Sequence, residues 1–416
     1  MSLRRLVLLA NQYPYLLGDH VFVGAEIPAL ADRFDEVVVF NFAPGTPEAM
    51  ATLPANVRFG GSLYGIPRAD KVKALVSPPN LARLAQVALV EARTGRLGGH
   101  VRTFIASTIA GMGLANDSRL KKALYEDGVE TTVYSFWAMG IGMLVPWIRP
   151  RVGSVNLRLH RYDLYENESG YLPFRPSLFR RSNRILAISE ESRRYLMETY
   201  PQENLAEKIM VRRLGSAAPL EAPTRAPLAG VQESVLTIVS CSNVIAVKRV
   251  VRILDALEKL PGETPVRWIH FGGGALEEEL RNRAAAVDKV GLTIEIRGAT
   301  PHEEILEYYR THDVAVLVNV SASEGVPVSI MEAISHDIPV IATDVGGTAE
   351  IVGEDLGTGK LISADFRDED LVAAIEDVLS AAPGTYMPKK LWAGRYNASV
   401  NAEATAELVA ARPQPR

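Results

Sequence analysis

Residues 319–352 read NVSASEGVPVSIMEAISHDIPVIATDVGGTAEIV, and this stretch decides the fold prediction. It leads from the end of an apolar strand, VAVLVNV, through a short loop into a helix with Pro327 one step inside its start, and then into the strand VIATD. Proline is tolerated in a first helical turn because the N–H it lacks would be unpaired there anyway. A helix between two largely apolar strands is one repeat of a parallel sheet covered on both faces.

The same alternation extends through the second half of the chain. Three further strand–helix repeats precede the quoted stretch, and the whole run packs five strands and four helices into about 110 residues, which is typical of a doubly wound sheet. The predicted strands are VLTIVSCS (235–242), WIHFGGG (268–274), LTIEIRG (292–298), VAVLVNV (314–320) and VIATD (340–344). The predicted helices are 248–260, 275–287, 302–311 and the one after Pro327, with two more near 368–380 and 399–411.

The first half of the chain shows the same pattern. Its predicted strands are Leu6–Ala10, Glu36–Phe40, Thr132–Phe136, Ser154–Leu157, Arg184–Ile188 and Ile209–Arg212. Its predicted helices are Val23–Arg33, Lys71–Ala92, Arg119–Glu126 and Glu191–Thr199. A Pro- and Ala-rich stretch between the halves predicts a linker. At 416 residues the chain suits two domains of about 150–200 residues each, and we predict an α/β class with two facing Rossmann-like sheets.

Composition excludes several classes of protein. With 47% hydrophobic and 23% charged residues, the chain is typical of a soluble globular protein. The net charge of -4 gives no reason to expect a nucleic-acid partner. Cys241 is the only cysteine, which excludes an intrachain disulfide and favours a cytoplasmic location. The apolar run after MSLRR is too short for a signal peptide, and no other run reaches the roughly 20 residues of a spanning helix.

The loop and helix start at 321–328 predict an anion site. Free N–H groups and the helix dipole attract phosphate there, and Gly325 allows the backbone to come close to a ligand. Helical side chains lean toward the N-terminus, so Glu332 can reach a group beside the phosphate, such as two ribose hydroxyls. Glu324 would stand on the other side, toward whatever the far phosphate carries. Either glutamate alone could equally be an ordinary loop or helix acid.

The stretch resembles the signature of the retaining glycosyltransferases of family 4, which have the GT-B fold: a glutamate, seven residues, a second glutamate and a Gly-Gly turn. Three other segments resemble this family. CSNVIAVKRVVRILDAL places Lys248 at the family's diphosphate lysine, YPYLLGDHVFVGAEIPALADRF places Gly18 in the N-terminal loop, and RLHRYDLYENESGYLPFR places His160 in the His-containing loop. RYNASVNAEATAEL resembles the closing helix that returns to the first domain.

This resemblance implies a domain plan and a set of site residues. The plan is an acceptor-binding domain at 1–215, a linker at 216–233, a donor-binding domain at 234–395 and a closing helix at 396–416. Lys248 would stabilise the leaving diphosphate, Glu324 would orient the donor sugar, and His160 would contact the sugar near the acceptor. The implied donor-binding residues are Gly18, Lys248, Arg249, Gly272, Gly273, Glu324, Gly325, Val326, Pro327, Val328 and Glu332. No metal or other cofactor is implied.

The implied reaction moves a sugar from a nucleoside-diphosphate sugar to a glycan or a lipid-linked acceptor, in bacterial polysaccharide or glycolipid biosynthesis. Two departures weaken any inference about the donor. Ser242 stands where many members have a phosphate-binding arginine, for which Arg249 or Arg297 would have to substitute, and Arg161 stands where related loops have a small residue. A silent sugar- or nucleotide-binding scaffold and a phosphorylase-like or sucrose-synthase-like enzyme remain the alternatives.

Two further patterns need interpretation. Asp368 and Asp370 have a metal-binding spacing, but they open a helix, where acids serve the dipole. Between Arg68 and Lys122 the sequence has ten basic residues against three acids. This basic 68–122 region is either a surface that docks on anionic membrane, which would place the protein at the inner face of the plasma membrane, or a solvated helical insert.

Overall fold

The computed structural model describes residues 2–45, 49–65, 67, 74–75, 77–220, 235–262 and 265–413. The chain divides into two compact units: unit 1 comprises residues 1–214 and 399–416, and unit 2 comprises 215–398. Of the predicted linker at 216–233, only residues 216–220 are described.

Unit 1 contains a seven-stranded, all-parallel sheet in the order β3-β2-β1-β4-β5-β6-β7. Its strands are β1 (Leu3–Leu9), β2 (Glu36–Asn41), β3 (Val57–Ser62), β4 (Val129–Ser135), β5 (Ser154–Leu159), β6 (Arg184–Ala187) and β7 (Ile209–Val211). The strand order reverses between β1 and β4, which creates a crevice at their carboxyl ends where ligands bind in such sheets. All six predicted strands are confirmed within a few residues.

Eight helices of unit 1 are described. They are α1 (His20–Ala31), α2 (Pro78–Arg93), α3 (Val101–Ala115), α4 (Ser118–Tyr125), α5 (Glu166–Ser169), α6 (Arg175–Arg181), α7 (Glu190–Thr199) and α14 (Ala398–Ala410), with 3-10 turns at Gly140–Trp147 and Pro201–Glu203. The predicted helix Lys71–Ala92 is confirmed from Pro78 onward, while residues 71–73 and 76 lie outside the described part. Side-chain caps fix two of the starts: the Asp117 carboxylate accepts from Arg119 N and Leu120 N, and Ser189 Oγ accepts from Ser192 N.

The last helix, α14, belongs to the core of unit 1. Its residues Ala402, Ala406 and Val409 are buried in the same apolar cluster as Leu6 and Leu8 of the central strand β1. The other face of the sheet is covered by a larger cluster that includes residues of α2, α3, α4 and α6. The C-terminal segment therefore completes, together with α1, the cover of one face of the unit 1 sheet.

Unit 2 contains a six-stranded parallel sheet in the order β10-β9-β8-β11-β12-β13, the order of a dinucleotide-binding sheet. Its strands are β8 (Leu236–Cys241), β9 (Val266–Phe271), β10 (Leu292–Gly298), β11 (Val316–Asn319), β12 (Val340–Thr343) and β13 (Gly359–Ile362). Its helices are α8 (Val251–Lys259), α9 (Glu277–Ala285), α10 (His302–Thr311), α11 (Val328–Ser335), α12 (Asp368–Leu379) and α13 (Pro388–Arg395), with 3-10 turns at Ala246–Lys248 and Thr348–Glu350. The predicted α/β class with two doubly wound sheets is confirmed.

Two predicted helix starts are wrong by a few residues. Lys248 ends a 3-10 turn instead of opening a helix, because Arg249 takes a left-handed conformation (φ 50°) and α8 begins only at Val251. Pro327 precedes α11 as its N-cap with an extended backbone (ψ 123°), so the helix begins at Val328. Both shifts lengthen the loops that follow β8 and β11.

The chain passes from one unit to the other near Ser216 and again near Ala398, and these two segments are hydrogen-bonded to each other. Ser216 N donates to Tyr396 O at 3.0 Å, and Ala398 N donates to Ser216 O at 3.0 Å. Ser216 Oγ also accepts from Trp392 Nε1 at 2.9 Å and donates to Met331 O at 3.1 Å. In the described part of the chain, no helix combines the length and apolar composition needed to cross a bilayer.

Candidate active site

Lys248 and Glu324 meet at the point where the strand order of unit 2 reverses. Lys248 lies in the loop after β8 and Glu324 in the loop after β11, and these two strands are neighbours in the sheet. Lys248 Nζ donates to Glu324 Oε1 at 2.5 Å, and the glutamate is only 7% exposed. Asn319 Nδ2 at the end of β11 reaches the same oxygen at 3.4 Å. The structure thus brings together the two residues to which the sequence assigned charge chemistry.

Main-chain and side-chain contacts hold these two loops against each other. Ala322 N donates to Val247 O at 2.7 Å. Arg249 donates from all three of its nitrogens to carbonyls: Nε to Val320 O at 2.7 Å, Nη2 to Ser321 O at 3.0 Å and Nη1 to Ala364 O at 2.9 Å. Arg249 therefore braces the loop that carries Glu324, and its role toward a donor diphosphate stays a prediction. Arg297, the other suggested substitute, lies over the Phe271 and Tyr308 rings.

The Gly-Gly turn presses directly on the Glu324 loop. Gly347 N donates to Gly325 O at 2.7 Å. Gly346 has φ +55°, and a Cβ atom there would lie 1.9 Å from Glu324 O. Only glycine fits this position, because both the left-handed backbone and the close approach exclude a side chain. The spacing of the motif thus has a structural reason in addition to any chemical one.

Glu332 has a partner that the sequence analysis missed. Its Oε1 lies 2.7 Å from His302 Nε2, at the first residue of α10. The hydrogen bond to Glu332 raises the pKa of His302 above its usual value. Within the described residues, Glu332 Oε2 has no hydrogen-bond partner, so one carboxylate oxygen is fixed and the other is left to accept. Burial and the nearby Glu332 charge raise the pKa of the Cys241 thiol to about 12, which keeps it protonated.

The remaining donor-binding predictions in unit 2 line the same ends of the strands. Gly272 and Gly273 follow β9, where a Cβ atom on Gly272 would lie 1.9 Å from Ser242 O. Val326, Pro327 and Val328 lead into α11, whose start is capped by no side chain. First-turn N–H groups without a cap are available to an anion.

In unit 1 the loop after β1 is organised by Asp19, which the sequence analysis did not single out. Its carboxylate accepts from Asn11 N at 2.8 Å, Tyr13 N at 2.7 Å and Trp137 Nε1 at 2.9 Å. Gly18, the predicted site residue beside it, has φ +48°. This loop and Trp137 follow β1 and β4, the two strands at the reversal point of the unit 1 sheet.

His160 follows β5 and is packed between aromatic rings. Its ring centroid lies 4.2 Å from that of Trp137 and 4.9 Å from that of Phe136. Its backbone N–H donates to Asp163 Oδ1 at 2.5 Å. The pKa of His160 lies well below its usual value, mainly because the ring is buried and to a smaller extent because Arg158 is charged. The ring is therefore neutral. Within the described residues, both ring nitrogens are buried and neither has a hydrogen-bond partner.

The acids at 368 and 370 serve the helix start and its neighbours. Asp368 pairs with Arg252 at 2.9 Å and Lys259 at 3.0 Å. Asp370 Oδ2 accepts from Arg367 N at 2.8 Å, which completes a capping box at α12. Their spacing therefore has a structural explanation.

A family model described as "Glycosyl transferases group 1" matches residues 229–390. Residues 229–390, most of unit 2, are similar to the group 1 glycosyl transferases. The matched range contains Lys248, Glu324, Glu332 and the Gly-Gly turn, so the family signature and the charge pair coincide. The resemblance suggested by the sequence is confirmed at the level of the group 1 glycosyl transferases, and the assignment to the retaining enzymes of family 4 stays a prediction.

Curated relatives match parts of the chain. One is a subunit of phosphatidylinositol N-acetylglucosaminyltransferase from Arabidopsis thaliana, 27% identical over 161 residues, which are 38% of this chain and 34% of the relative. Another is a lipopolysaccharide core biosynthesis mannosyltransferase of Rhizobium meliloti, 37% identical over 103 residues, 24% of this chain and 27% of the relative. The chain thus aligns with about a third or less of the length of these relatives.

Solved structures match nearly the whole chain. A lipopolysaccharide outer core galactosyltransferase superposes with a TM-score of 0.62 at 14% sequence identity, covering 97% of this chain and 99% of that one. At this identity the likeness shows the fold alone. The chain, with one parallel sheet in each unit, therefore has the GT-B fold of this galactosyltransferase, as predicted.

Proposed function

We propose that the chain is a retaining, metal-independent glycosyltransferase that moves a sugar from a nucleoside-diphosphate sugar to a glycan or lipid-linked acceptor. The observation that carries this proposal is the Lys248–Glu324 pair, held at 2.5 Å at the reversal point of a group 1 glycosyl transferase unit. The similarity to a bacterial mannosyltransferase named for lipopolysaccharide core biosynthesis supports a role in bacterial polysaccharide or glycolipid assembly.

Lys248 and the start of α11 would together receive the diphosphate. Transfer of the sugar leaves a nucleoside diphosphate with an added negative charge, and a fixed ammonium group beside it lowers the energy of that charge. The uncapped N–H groups at Val328 and its neighbours act on the same phosphates. This arrangement supplies charge stabilisation from the protein itself, which is why we propose that no metal is required.

The two glutamates would have separate duties. Glu332 keeps Oε2 for the ribose hydroxyls, because His302 occupies Oε1. Glu324, at the far end of the anion site and paired with Lys248, would orient the hydroxyls of the donor sugar. His160, neutral and with both ring nitrogens unpartnered within the described residues, would contact the sugar as a hydrogen-bonding group.

The test is a thermal-unfolding series with UDP, GDP, ADP and TDP, without metal, on wild type, Glu332→Ala and Glu324→Ala. A nucleotide at about 100 times its dissociation constant adds about 2.7 kcal/mol to the stability of wild type. We expect one nucleotide to stabilise wild type and Glu324→Ala, and Glu332→Ala to lose this stabilisation. Transfer, measured with the matching sugar nucleotide, should fall in Glu324→Ala.

Glu278→Ala is the matched control, since it removes an exposed carboxylate from the first turn of α9 in the same unit. Stabilisation without transfer to any acceptor would favour the silent scaffold. Transfer that runs backward with phosphate or free nucleoside diphosphate would favour the phosphorylase-like or sucrose-synthase-like alternative. Equal behaviour of all three variants would contradict the site assignment.

We also propose a cytoplasmic location with peripheral attachment to anionic membrane, through the described part of the basic 68–122 region. The exposed residues there combine charge with apolar surface: Arg93, Arg102 and Lys122 alongside Leu89, Val101 and Ile105, the last three 49–51% exposed. Arg96 and Arg119 do not contribute, because they pair with Glu166 and Asp117. Flotation with phosphatidylglycerol vesicles should carry wild type, and Arg102→Glu together with Ile105→Glu should abolish it.

A further inference from the structure

A cavity of about 550 Å³ lies at the edge of unit 1 away from the predicted site. It is bounded by α2, α6, Pro150 and the residues Ser182 and Asn183 that precede β6. His160 and the Gly18 loop follow the carboxyl ends of strands, whereas this cavity lies at an amino end. The two ends of the strands lie on opposite sides of a parallel sheet, so the cavity is separate from the proposed site residues of unit 1.

Three arginines face this cavity, and two of them carry uncompensated charge. Arg180 forms a two-pronged pair with Glu203, at 2.7 Å from each of its nitrogens. Arg83 donates from Nε to Pro146 O at 2.7 Å. Arg181 donates from Nε to Ile148 O at 3.0 Å and from Nη2 to Arg149 O at 2.9 Å. Carbonyl oxygens fix the two guanidinium groups but do not neutralise them.

In the described ranges of the chain, no carboxylate lies within 4 Å of Arg83 or Arg181. Burial lowers the pKa of Arg83, and burial followed by the charge of Arg83 lowers the pKa of Arg181 to about 10. Two like charges that share a partly buried cavity destabilise each other, and an anion between them would relieve both the repulsion and the loss of hydration. The Nη groups of Arg83 and Nη1 of Arg181 remain free to donate to it.

We propose that this cavity is a binding site for a phosphate group, held by Arg83 and Arg181. Planar guanidinium groups donate paired hydrogen bonds to phosphate oxygens, and two of them can neutralise a dianion. One wall of the cavity is apolar, formed by Val87, Leu89 and Val90 of α2. The phosphate group therefore comes either from a soluble phosphate or diphosphate, or from the headgroup of a lipid whose chain lies on that wall.

Arginine labelling tests this site residue by residue. Phenylglyoxal modifies accessible arginines, and peptide mass spectrometry reports the rate at Arg83 and Arg181 separately from every other position. Arg93, exposed in the last turn of the same helix, is the internal control. We expect pyrophosphate, at about ten times its dissociation constant, to slow labelling of Arg83 and Arg181 about tenfold while Arg93 is unchanged.

A second arm replaces pyrophosphate with vesicles of phosphatidylglycerol and phosphatidylcholine, and with vesicles of phosphatidylcholine alone. Protection by the anionic vesicles only assigns the site to a lipid headgroup, and protection by pyrophosphate assigns it to a soluble phosphate. In the vesicle arm the control is Arg194, exposed on α7, because Arg93 belongs to the proposed membrane surface. No protection in either arm, equal protection of Arg93 by pyrophosphate, or equal protection of Arg194 by vesicles overturns the proposal and leaves the two arginines as braces of the 146–149 segment.

Variants give an independent reading. Arg83→Gln should remove the protection of Arg181 by pyrophosphate. Arg83→Lys should restore part of this protection, because it returns the charge. Arg93→Gln should leave the protection of Arg181 unchanged. Protection of Arg181 that persists in Arg83→Gln contradicts the proposal. Because the readout is local, a failure of the proposed glycosyl transfer does not affect it, and the wild-type labelling decides the matter even if Arg83→Gln does not fold.

Discussion

Units 1 and 2 have parallel sheets with the same order over six strands, yet the polar side chains that follow the carboxyl ends of their strands are partnered differently. Unit 2 pairs its charged groups with each other, as Lys248 with Glu324 and Glu332 with His302. In unit 1 the Asp19 carboxylate accepts hydrogen bonds from backbone N–H groups. The His160 ring has no hydrogen-bond partner among the described residues.

The difference agrees with the proposed division of roles, in which unit 2 binds the donor and unit 1 the acceptor. The family model matches unit 2 and no part of the sequence before residue 229. A charged site for diphosphate and ribose needs fixed carboxylates and a fixed ammonium, whereas an acceptor loop only needs a defined shape. We therefore expect substitutions in the unit 2 loops to change transfer by altering the charge of the site. Substitutions in the unit 1 loops should change it by altering the shape of the loop.

The largest effect should come from Lys248→Ala. Loss of the ammonium group should lower transfer about 10²–10³-fold, the size found when one charge-stabilising donor is removed. It should also leave Glu324 as a nearly buried, unpaired carboxylate. Initial transfer rates at saturating sugar nucleotide measure this, with Lys259→Ala as the control, since Lys259 pairs with Asp368 and Glu369 on α12. Equal rates in the two variants would show that the unit 2 pair is structural.

A smaller effect should follow from Gly346→Ala. This variant puts a Cβ atom 1.9 Å from Glu324 O, whereas the same change at Gly384, also at positive φ, meets no atom within 4 Å. Both variants carry backbone strain, so their difference isolates the close approach, which we expect to cost about 1–3 kcal/mol. Urea unfolding measures it, and identical midpoints would mean that the turn does not press on the Glu324 loop.

Val409→Ala tests whether α14 is part of the unit 1 core. Val409 is fully buried and Val400 on the same helix is 55% exposed. We expect about 1–3 kcal/mol of destabilisation for Val409→Ala from lost burial and the cavity left behind. Val400→Ala should change stability by less than about 0.5 kcal/mol. Equal stability of the Val409→Ala and Val400→Ala proteins would show that α14 is not part of that core.

The smallest effects should be on pH dependence, with opposite signs in the two units. The raised pKa of His302 means that its contact with Glu332 adds stability below pH 6.5, which is lost as the pH rises through the folded-state value. The lowered pKa of His160 means that the unfolded chain binds the proton more readily, so stability falls as the pH drops below 6.5.

Thermal unfolding of His302→Gln and His160→Gln between pH 5 and 9 separates the two contributions. We expect His302→Gln to lose an acid-side stabilisation of less than about 1 kcal/mol, as for other partly exposed pairs. His160→Gln should instead be less sensitive to acid than wild type. The same sign in both variants would contradict the contrast between the units.

The sequence was sufficient to predict the alternation of strands and helices and the loops that matter. Glu324 and Glu332 were identified because they follow a strand in a doubly wound pattern, where ligands bind. Lys248 was identified only through the resemblance to the family 4 glycosyltransferases. The strands missed were Val57–Ser62, which contains two glycines, and the four-residue edge strand Gly359–Ile362. Neither has the apolar run that reveals a central strand.

The partners of the site residues could not be predicted in the same way. His302 lies 30 positions before Glu332, and Arg249 reaches Ala364 across 115 positions. Such contacts are set by how strands are ordered in the sheet and by a left-handed backbone at Arg249, neither of which has a local signature. Asp19 offered the one usable hint, since it adjoins Gly18 in a loop that follows the central strand.

The placement of α14 has a consequence for biosynthesis. Unit 1 needs residues 402–409 to close one face of its sheet, but these are translated only after all of unit 2, residues 215–398. At about 5–20 residues per second, the ribosome takes on the order of ten to forty seconds to cross that interval. Through this time the nascent unit 1 lacks the part of the apolar cluster around Leu6 and Leu8 that α14 supplies, so the second-made unit can finish folding before the first.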